Sequence, residues 1–123
     1  DNGGSDFADC ELAWTSFKKP VRLYKHPWYG FLAFDRSNVV ETDRIHPTQK
    51  PVGLYKWIYQ KFAEPGQSII DTHMGSGSSA IGAHNVGMKY VGYEIDEGHF
   101  KNASVRIKRN TAQYVMEGLY DDT

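Results

Sequence analysis

The chain has 123 residues, and its 14 lysines and arginines against 15 acidic residues give a formal net charge of −1 at pH 7. That length is enough for a single domain, and a composition of 40% hydrophobic and 24% charged residues excludes a fully disordered chain. The balanced charge excludes a uniformly basic nucleic-acid-binding protein, while it permits a local basic patch.

Residues 1–45 form an aromatic and irregular N-terminal segment. The apolar run from Cys10 to Phe17 predicts a strand, and residues 31–34 predict a second, shorter one. A basic and aromatic stretch follows the first run, and its leading cations are Lys18, Lys19 and Arg22. Such cations contact phosphate, and aromatic rings stack on unpaired bases. The stretch therefore predicts either DNA contacts or, slightly favoured, a small hydrophobic cluster with solvated charges.

Residues 46–110 alternate between helical and strand-like patterns, and residues 111–123 form a C-terminal tail. Pro51 suits the first turn of a helix, which Pro65-Gly66 then ends. The patterns that follow are strand, glycine-rich loop, helix, strand and helix, at 68–71, 75–77, 78–86, 90–94 and around 100–107. This alternation predicts an α/β fold of the nucleotide-binding kind.

A glycine-rich turn, Gly75-Ser76-Gly77, lies between the first of these strands and its helix. Glycine allows a tight turn and a close approach of ligand to backbone, and the helix that follows points free N–H groups at the ligand. Asp71 ends the strand before the turn. Glu94 ends the next strand, 17 residues after Gly77, where a carboxylate can accept hydrogen bonds from both hydroxyls of a ribose. The pattern predicts a nucleotide site, with a plain turn between packed elements as the alternative.

Two features favour S-adenosylmethionine over NAD as the ligand. A carboxylate at Asp71 suits a ligand with an ammonium group better than a pyrophosphate. The donor-rich stretch at 46–51 precedes the turn, and its Thr48 and Lys50 can bind a carboxylate. A ligand with a ribose, an ammonium and a carboxylate is S-adenosylmethionine. No Gly-Lys-Ser/Thr string follows the turn, which argues against a P-loop.

Three strings, at 46–51, 71–79 and 92–96, resemble in order and spacing the cofactor half of the DNA amino-methyltransferases. The order is similar to that of the permuted branch often called the beta class, and the resemblance covers residues 46–109. It implies a Rossmann-like methyltransferase fold, with a partial sheet in this chain, and transfer of a methyl group from S-adenosylmethionine to an exocyclic amine of a DNA base. The strings do not separate adenine N6 from cytosine N4, and we rank adenine N6 first.

The resemblance also implies a role for each matching residue. Thr48, Gln49 and Lys50 would lie near the methionine part of the cofactor, and Glu94 would hold the ribose hydroxyls. Asp96 is a weaker candidate, near the adenosine or supporting that loop. The cofactor turn would be lined by Asp71, Gly75, Ser76 and Gly77. His73, where the family has an aromatic ring that shields the cofactor, would either stack on or hydrogen-bond to the cofactor, or weaken the site.

The sequence departs from the family pattern in two ways. Thr72-His73 stands where the family usually has Pro-Phe, which changes the shielding of the cofactor. The family's catalytic string, Asp-Pro-Pro-Tyr or its variants, is absent, so no catalytic residue is assigned. Because the first methionine is Met74, we expect a piece of a longer enzyme that binds cofactor without transferring a methyl group by itself. Target-recognition elements commonly precede the 46–51 string in the family, which keeps the DNA interpretation of the N-terminal cations open.

The histidine and cysteine content bears on metal binding and on the cellular compartment. The five histidines lack metal-ligand spacing, and one cysteine, Cys10, forms neither a zinc site nor an internal disulfide, which favours no metal and a reducing cytoplasm. No stretch approaches the roughly 20 apolar residues of a membrane span. A partial sheet has an exposed edge, so a homo-oligomer through that edge is a hypothesis. A non-catalytic NAD-type module and a degenerate DNA-binding or interaction domain remain as alternatives.

Overall fold

A computed structural model describes residues 10–26, 28–29, 32–34, 40–41 and 49–120, and the side chains of 10–26 and 49–112. Its strands and helices, in chain order, are β1 (Trp28–Tyr29), β2 (Leu32–Phe34), β3 (Val40–Glu41), α1 (Val52–Phe62), β4 (Ser68–Asp71), α2 (Ser78–Asn85), β5 (Lys89–Gly92) and α3 (Glu97–Tyr120).

Strands β4 and β5 form a parallel pair that helix α2 connects, which confirms the predicted α/β class. Their register pairs Ser68 with Lys89 and Asp71 with Gly92. Pairing continues past the strand ends, because Tyr93 N–H donates to Asp71 O (2.8 Å) and Met74 N–H donates to Tyr93 O (2.8 Å). The glycine-rich turn is thus attached to both strands at their carboxyl ends, the edge where α/β proteins place ligands.

The core lies between α1 and α2, on one side of this pair. Val52, Ile81 and Ala83 are buried there. A Cβ atom at Gly82 would lie 2.9 Å from Tyr55 Cβ and 3.3 Å from the Lys56 backbone nitrogen. The backbones of the two helices are therefore in close contact, and only a residue without a side chain fits at that point.

The two faces of the β4–β5 pair differ in burial. Ile69, Asp71, Tyr90 and Gly92 alternate with exposed neighbours and are partly covered. On the opposite face Ile70 is 70% exposed and Val91 is 50% exposed. Strands of parallel sheets normally bury both faces. In the described part of the chain, this sheet is covered on one face, in agreement with the predicted partial sheet.

The N-terminal segment departs from the prediction. The expected strand from Cys10 to Phe17 is wrong, because these residues adopt no regular secondary structure. Leu12 is 94% exposed and Trp14 is 88% exposed, so no neighbouring strand buries one face of the run. The second predicted strand is present as β2, which pairs antiparallel with β1 and β3 in a sheet separate from β4–β5. In the described residues, no strand of this segment joins the β4–β5 sheet.

Helix α3 runs through the predicted boundary at residue 110 and continues to Tyr120. Ala103 is fully buried on its inner side. The division into segments 1–45, 46–110 and 111–123 stays a prediction. None of the helices in the described residues has the length and apolar character needed to cross a lipid bilayer.

Candidate functional site

Two glycines with positive φ shape the turn between β4 and α2. Gly75 has φ of 58° and Gly77 has φ of 85°, values that glycine adopts without the steric cost other residues meet. Gly77 N–H donates to Met74 O (3.1 Å), and Gly77 is the N-cap of α2. No side-chain hydrogen bond caps this end of α2. The N–H groups of the first turn therefore receive no acceptor from the side chain of a capping residue.

Glu94 lies against this turn, as the sequence predicted. Its Oε2 accepts a hydrogen bond from Gly75 N–H at 3.0 Å, and its Oε1 accepts one from Asp96 N–H at 3.3 Å. Each carboxylate oxygen has two lone pairs, so both oxygens retain acceptor capacity. The two backbone donors fix the half-buried carboxylate at the mouth of the turn.

Asp71 uses its carboxylate within the protein. Ser79 donates its hydroxyl to Asp71 Oδ2 at 2.6 Å, and Asp71 Oδ1 accepts His73 N–H at 3.0 Å. The Tyr90 hydroxyl lies 2.7 Å from Ser79 Oγ and 3.4 Å from Asp71 Oδ2. We describe these side chains below as the Asp71 network, consisting of Asp71, Ser79 and Tyr90. It joins the end of β4 to α2 and β5.

Sequence reasoning missed Ser79 and Tyr90, although Gly92 carries a signal for the second. A Cβ atom at Gly92 would lie 2.6 Å from Tyr90 Cε1 and 2.8 Å from the Tyr90 hydroxyl. The absence of a side chain at Gly92 lets the Tyr90 ring lie along the strand and reach the Asp71 carboxylate. Residues two apart share one face of a strand, which makes this neighbour relation readable from sequence.

Burial and the Asp71 charge act together on the tyrosines around this network. Burial raises the pKa of Tyr90, and the Asp71 charge adds to that increase while the Ser79 hydrogen bond opposes it. Burial likewise raises the pKa of Tyr59 and of Tyr55, with the Asp71 charge among the further causes. Tyr59 donates its hydroxyl to the Ser79 backbone oxygen at 3.2 Å. The phenols therefore stay neutral donors well above neutral pH.

The back of the turn is held by helix α3. Ser76 and Ser78 are buried, and their hydroxyl oxygens lie 3.2 Å apart. Arg106 Nη1 donates to the Ser76 backbone oxygen at 3.1 Å and to Ser78 Oγ at 2.9 Å. A Cβ atom at Gly77 would lie 2.9 Å from the Ile107 side chain. Sequence reasoning missed Arg106, which follows the turn by about 30 residues and belongs to none of the predicted strings.

The sequence predicted ligand-binding donors just before α1, and the structure describes two of them, Gln49 and Lys50. Thr48 lies outside the described residues. Gln49 is buried, and Pro51 is the N-cap of α1. Lys50 forms an ion pair with Glu11, with Nζ 2.7 Å from Oε2 and 2.9 Å from Oε1. The cation predicted to bind a ligand carboxylate thus already binds a carboxylate from the N-terminal segment.

Two weaker candidates, His73 and Asp96, are exposed beside the turn. His73 Nδ1 lies 2.8 Å from the Thr72 hydroxyl, so Thr72 and His73 interact with each other at the position of the family's Pro-Phe. Asp96 Oδ1 accepts His99 N–H at 2.8 Å, the bond of an N-cap residue to the third helical residue of α3. This bond supports the alternative in which Asp96 stabilises its loop.

None of the turn contacts described above involves an N-terminal cation. Lys18 and Arg22 are exposed. Lys19 Nζ donates to the Lys61 backbone oxygen at 2.7 Å and lies 5.2 Å from the centre of the Phe62 ring. Two ring contacts attach this segment to α1, Phe17 to Phe62 at 5.3 Å and Tyr24 to Trp57 at 5.4 Å. The described side chains include no group of three or more histidine, cysteine, aspartate or glutamate residues arranged to hold a metal ion.

Comparison with known proteins adds a family assignment to this geometry. The profile of a family described as DNA methylase, N6_N4_Mtase, matches residues 10–105. YubD of Escherichia coli strain K12, which is named as a methylase, is 32% identical over 65 residues, or 53% of this chain and 29% of YubD. The type II methyltransferase M2.DpnII of Streptococcus pneumoniae is 32% identical over 84 residues, or 68% of this chain and 30% of that protein.

One solved structure is similar in part. The crystal structure of the M1.HpyAVI–SAM complex has 30% sequence identity and a TM-score of 0.49, and the match covers 51% of this chain and 32% of that chain. The chain thus spans less than a third of the length of each of these relatives.

Proposed function

The chain belongs to the DNA methylase family, and from this premise we propose that it binds S-adenosylmethionine at the turn between β4 and α2. The observation that carries the proposal is the hydrogen bond between Gly75 N–H and Glu94 Oε2, at 3.0 Å. It brings the glycine-rich turn and the predicted ribose-binding acid into one site.

The residues present fit this cofactor. Glu94 offers two oxygens with remaining lone pairs, which suits the adjacent hydroxyls of a ribose. The positive φ of Gly75 and Gly77 makes the turn tight, and Lys50 offers a cation for a carboxylate. When bound, S-adenosylmethionine supplies an activated methyl group on its sulfonium. In this proposal Asp71 acts indirectly, because its carboxylate holds the turn through the Asp71 network.

Calorimetric titration of the chain with S-adenosylmethionine, S-adenosylhomocysteine and NAD tests the site. We expect binding of the first two and none of NAD. The variant Glu94→Ala should lose at least about tenfold in affinity, since it removes the acceptors of two hydroxyl groups. Glu97→Ala is a matched control, because Glu97 is an exposed acid three residues after Glu94 and pairs with Lys101 at 3.3 Å. NAD binding would favour the NAD-type alternative, and no binding of any ligand would favour the degenerate interaction domain.

We propose further that the parent enzyme methylates an exocyclic amine of DNA, with adenine N6 ranked before cytosine N4. The sequence contains no Asp-Pro-Pro-Tyr string, so this chain by itself should bind cofactor without methylating DNA. Incubation with labelled cofactor and duplexes that offer only one of the two amines tests both statements. Label transfer by the isolated chain would overturn the first, and transfer by the parent enzyme to cytosine alone would overturn the second.

We propose that Lys18 and Arg22, which are exposed in the N-terminal segment, contact DNA. Lys19 is a weaker candidate, since it already binds the last turn of α1. Each lost phosphate contact should lower the slope of log affinity against log salt by about one. In the parent enzyme, Lys18→Ala with Arg22→Ala should therefore reduce this slope by about two, whereas Lys108→Ala, on exposed α3, should leave it unchanged. An unchanged slope in the double variant would exclude DNA contact.

We also propose a cytoplasmic protein, since its one cysteine fits a reducing compartment, and a homo-oligomer through an exposed edge of the β4–β5 sheet. In the described residues this sheet has two strands, so each strand has an unpaired edge. The exposed apolar side chains Ile70 and Val91 add to the surface that a second copy would cover. Ile70→Lys should shift sedimentation toward the monomer at high concentration, while an exposed helical change such as Lys101→Gln should not. A wild-type chain that sediments as a monomer would contradict the oligomer.

A further inference from the structure

Arg106 of α3 contacts the side of the cofactor turn that faces this helix. Arg106 Nη1 donates to two acceptors, the Ser76 backbone oxygen at 3.1 Å and Ser78 Oγ at 2.9 Å. Both serines are buried, and their own hydroxyls are 3.2 Å apart. A guanidinium NH2 nitrogen carries two N–H donors in a fixed plane, so Nη1 can serve both acceptors.

The Arg106 contact fixes the orientation of one peptide group. The Ser76 carbonyl and the Gly77 N–H belong to the same planar peptide unit and point in opposite directions. The carbonyl accepts from Arg106, and the N–H donates to Met74 O at 3.1 Å. The unit is thus held at both of its polar ends. Because Gly77 has φ of 85°, this peptide is next to a backbone rotation that only glycine adopts readily.

Loss of the guanidinium would remove one donor from each of two buried acceptors. The Ser76 carbonyl and Ser78 hydroxyl would then have to turn toward other donors or toward water. A turn of the Ser76 carbonyl rotates the peptide between Ser76 and Gly77, and with it the start of α2. Ile107 packs against Gly77 from the same helix, so the apolar side of the turn is supported separately.

From this geometry we infer that Arg106 is a positioning residue for cofactor binding, acting through Ser76 and Ser78 on the shape of the turn. The inference rests on the proposed binding of S-adenosylmethionine. Arg106 contacts the backbone side of the turn and contributes no group to the ligand. Its removal should lower affinity for S-adenosylmethionine and S-adenosylhomocysteine by the same factor, since the turn serves both.

Four variants test this role. Arg106→Ala should lose about tenfold in affinity for S-adenosylmethionine, and Arg106→Lys should recover part of that loss, since one ammonium can satisfy one of the two acceptors. Ser78→Ala removes one acceptor and should lose less. Arg109→Ala is the control, since Arg109 is an exposed cation on the same helix and should bind as wild type does.

Two measurements distinguish positioning from general support of the fold. Arg106→Ala and Ser78→Ala should be non-additive in ligand affinity, because they break one shared contact. Millimolar methylguanidinium should restore cofactor binding to Arg106→Ala and leave the Arg109→Ala variant unchanged. If Arg106→Ala does not fold, Arg106→Lys at unchanged thermal midpoint must still show reduced affinity.

The outcomes separate the two proposals. Absence of S-adenosylmethionine binding by the wild-type chain would overturn the proposed function and the inference together. Wild-type binding with unchanged affinity in both Arg106 variants would overturn the inference alone, as would an equal loss in Arg109→Ala. Reduced affinity in both Arg106 variants, with rescue by methylguanidinium, would support it.

Discussion

Two regions were predicted to contain ligand-binding side chains, the turn between β4 and α2 and the N-terminal segment at 10–26. They differ in how their side chains contact the rest of the protein. At the turn, polar groups from β4, α2, β5 and α3 bond to one another within the protein. In the N-terminal segment most side chains are exposed, and it reaches α1 mainly through Phe17, Lys19 and Tyr24. The difference follows from what flanks each region, because the turn connects β4 directly to α2, whereas residues 10–26 contain no regular secondary structure.

This contrast teaches which sequence signals are informative. A strand, a glycine pair and an acid at the end of the next strand are brought together by the sheet itself. A run of cations and aromatic residues is not brought together by a sheet. Its sequence pattern therefore does not predict where the side chains lie in the fold. We therefore expect substitutions near the turn to have large effects and substitutions in the segment to have small ones.

The largest predicted effect is for Gly92→Ala. The new Cβ would lie 2.6 Å from Tyr90 Cε1 and 2.7 Å from Met74 Sδ, so the Tyr90 ring must leave its place beside Asp71. Overpacking of this kind costs about 1–3 kcal/mol, to which the lost hydrogen bonds add. The free energy of unfolding from urea titration measures this cost.

Two further variants calibrate the Gly92 result. Gly98→Ala makes the same change in the first turn of α3, where the nearest atom would be Asp96 Oδ1 at 3.3 Å, and should be neutral or stabilising. Trp14→Ala in the N-terminal segment should cost less than about 0.5 kcal/mol, as exposed substitutions do. A Trp14 cost equal to that of Gly92→Ala would refute the contrast between the two regions.

The order of elements and the position of the turn could be predicted from the sequence, because both depend on local patterns. The strand at 68–71 and the helix from Ser78 follow from short apolar runs and their glycine boundaries. Glu94 was identified because its spacing from the turn follows from the length of one helix and one strand. By contrast, Arg106 acts through tertiary contacts, which no local pattern specifies. The spacing of two residues places Tyr90 on the strand face of Gly92, but it does not specify the contacts of Tyr90 with Asp71 and Ser79. Cys10–Phe17 failed as a strand for the same reason, since a strand needs a partner.

An intermediate effect is predicted for Tyr90→Phe, which keeps the ring and removes the hydroxyl 2.7 Å from Ser79 Oγ. Loss of a partly buried hydrogen bond in a network that contains a carboxylate should cost about 1–2 kcal/mol in the free energy of unfolding. Tyr24→Phe is a matched control in the N-terminal segment, where the hydroxyl lies 3.2 Å from His26 Nδ1, and should cost less.

The pH dependence gives a separate test of the same tyrosines. Because burial raises the pKa of Tyr90 above its ordinary value of 10.0, the native state favours the neutral phenol more strongly than the unfolded state does. The stabilisation is therefore fully present below about pH 10 and is lost as pH rises further. In Tyr90→Phe the alkaline decrease should be smaller, and an identical decrease in both proteins would contradict this.

The smallest predicted effect joins the two regions through the ion pair between Lys50 and Glu11. The pair has Nζ–Oε2 of 2.7 Å, but Glu11 is 79% exposed, and exposed pairs contribute only about 0.2–1 kcal/mol. If Lys50 binds the carboxylate of the cofactor, Glu11 competes for the same cation. Glu11→Gln should then raise affinity for S-adenosylmethionine by about two- to fivefold.

A truncated ligand shows whether that gain arises at Lys50. Methylthioadenosine has the adenosine and sulfur of the cofactor without its amino acid part, so it has no carboxylate to compete with Glu11. Its affinity should be the same for wild type and Glu11→Gln, while Lys50→Met should remove the gain seen with S-adenosylmethionine. Equal gains for both ligands would instead mean that Glu11 acts on the whole site, and the N-terminal segment would then belong to the cofactor site as fully as the turn does.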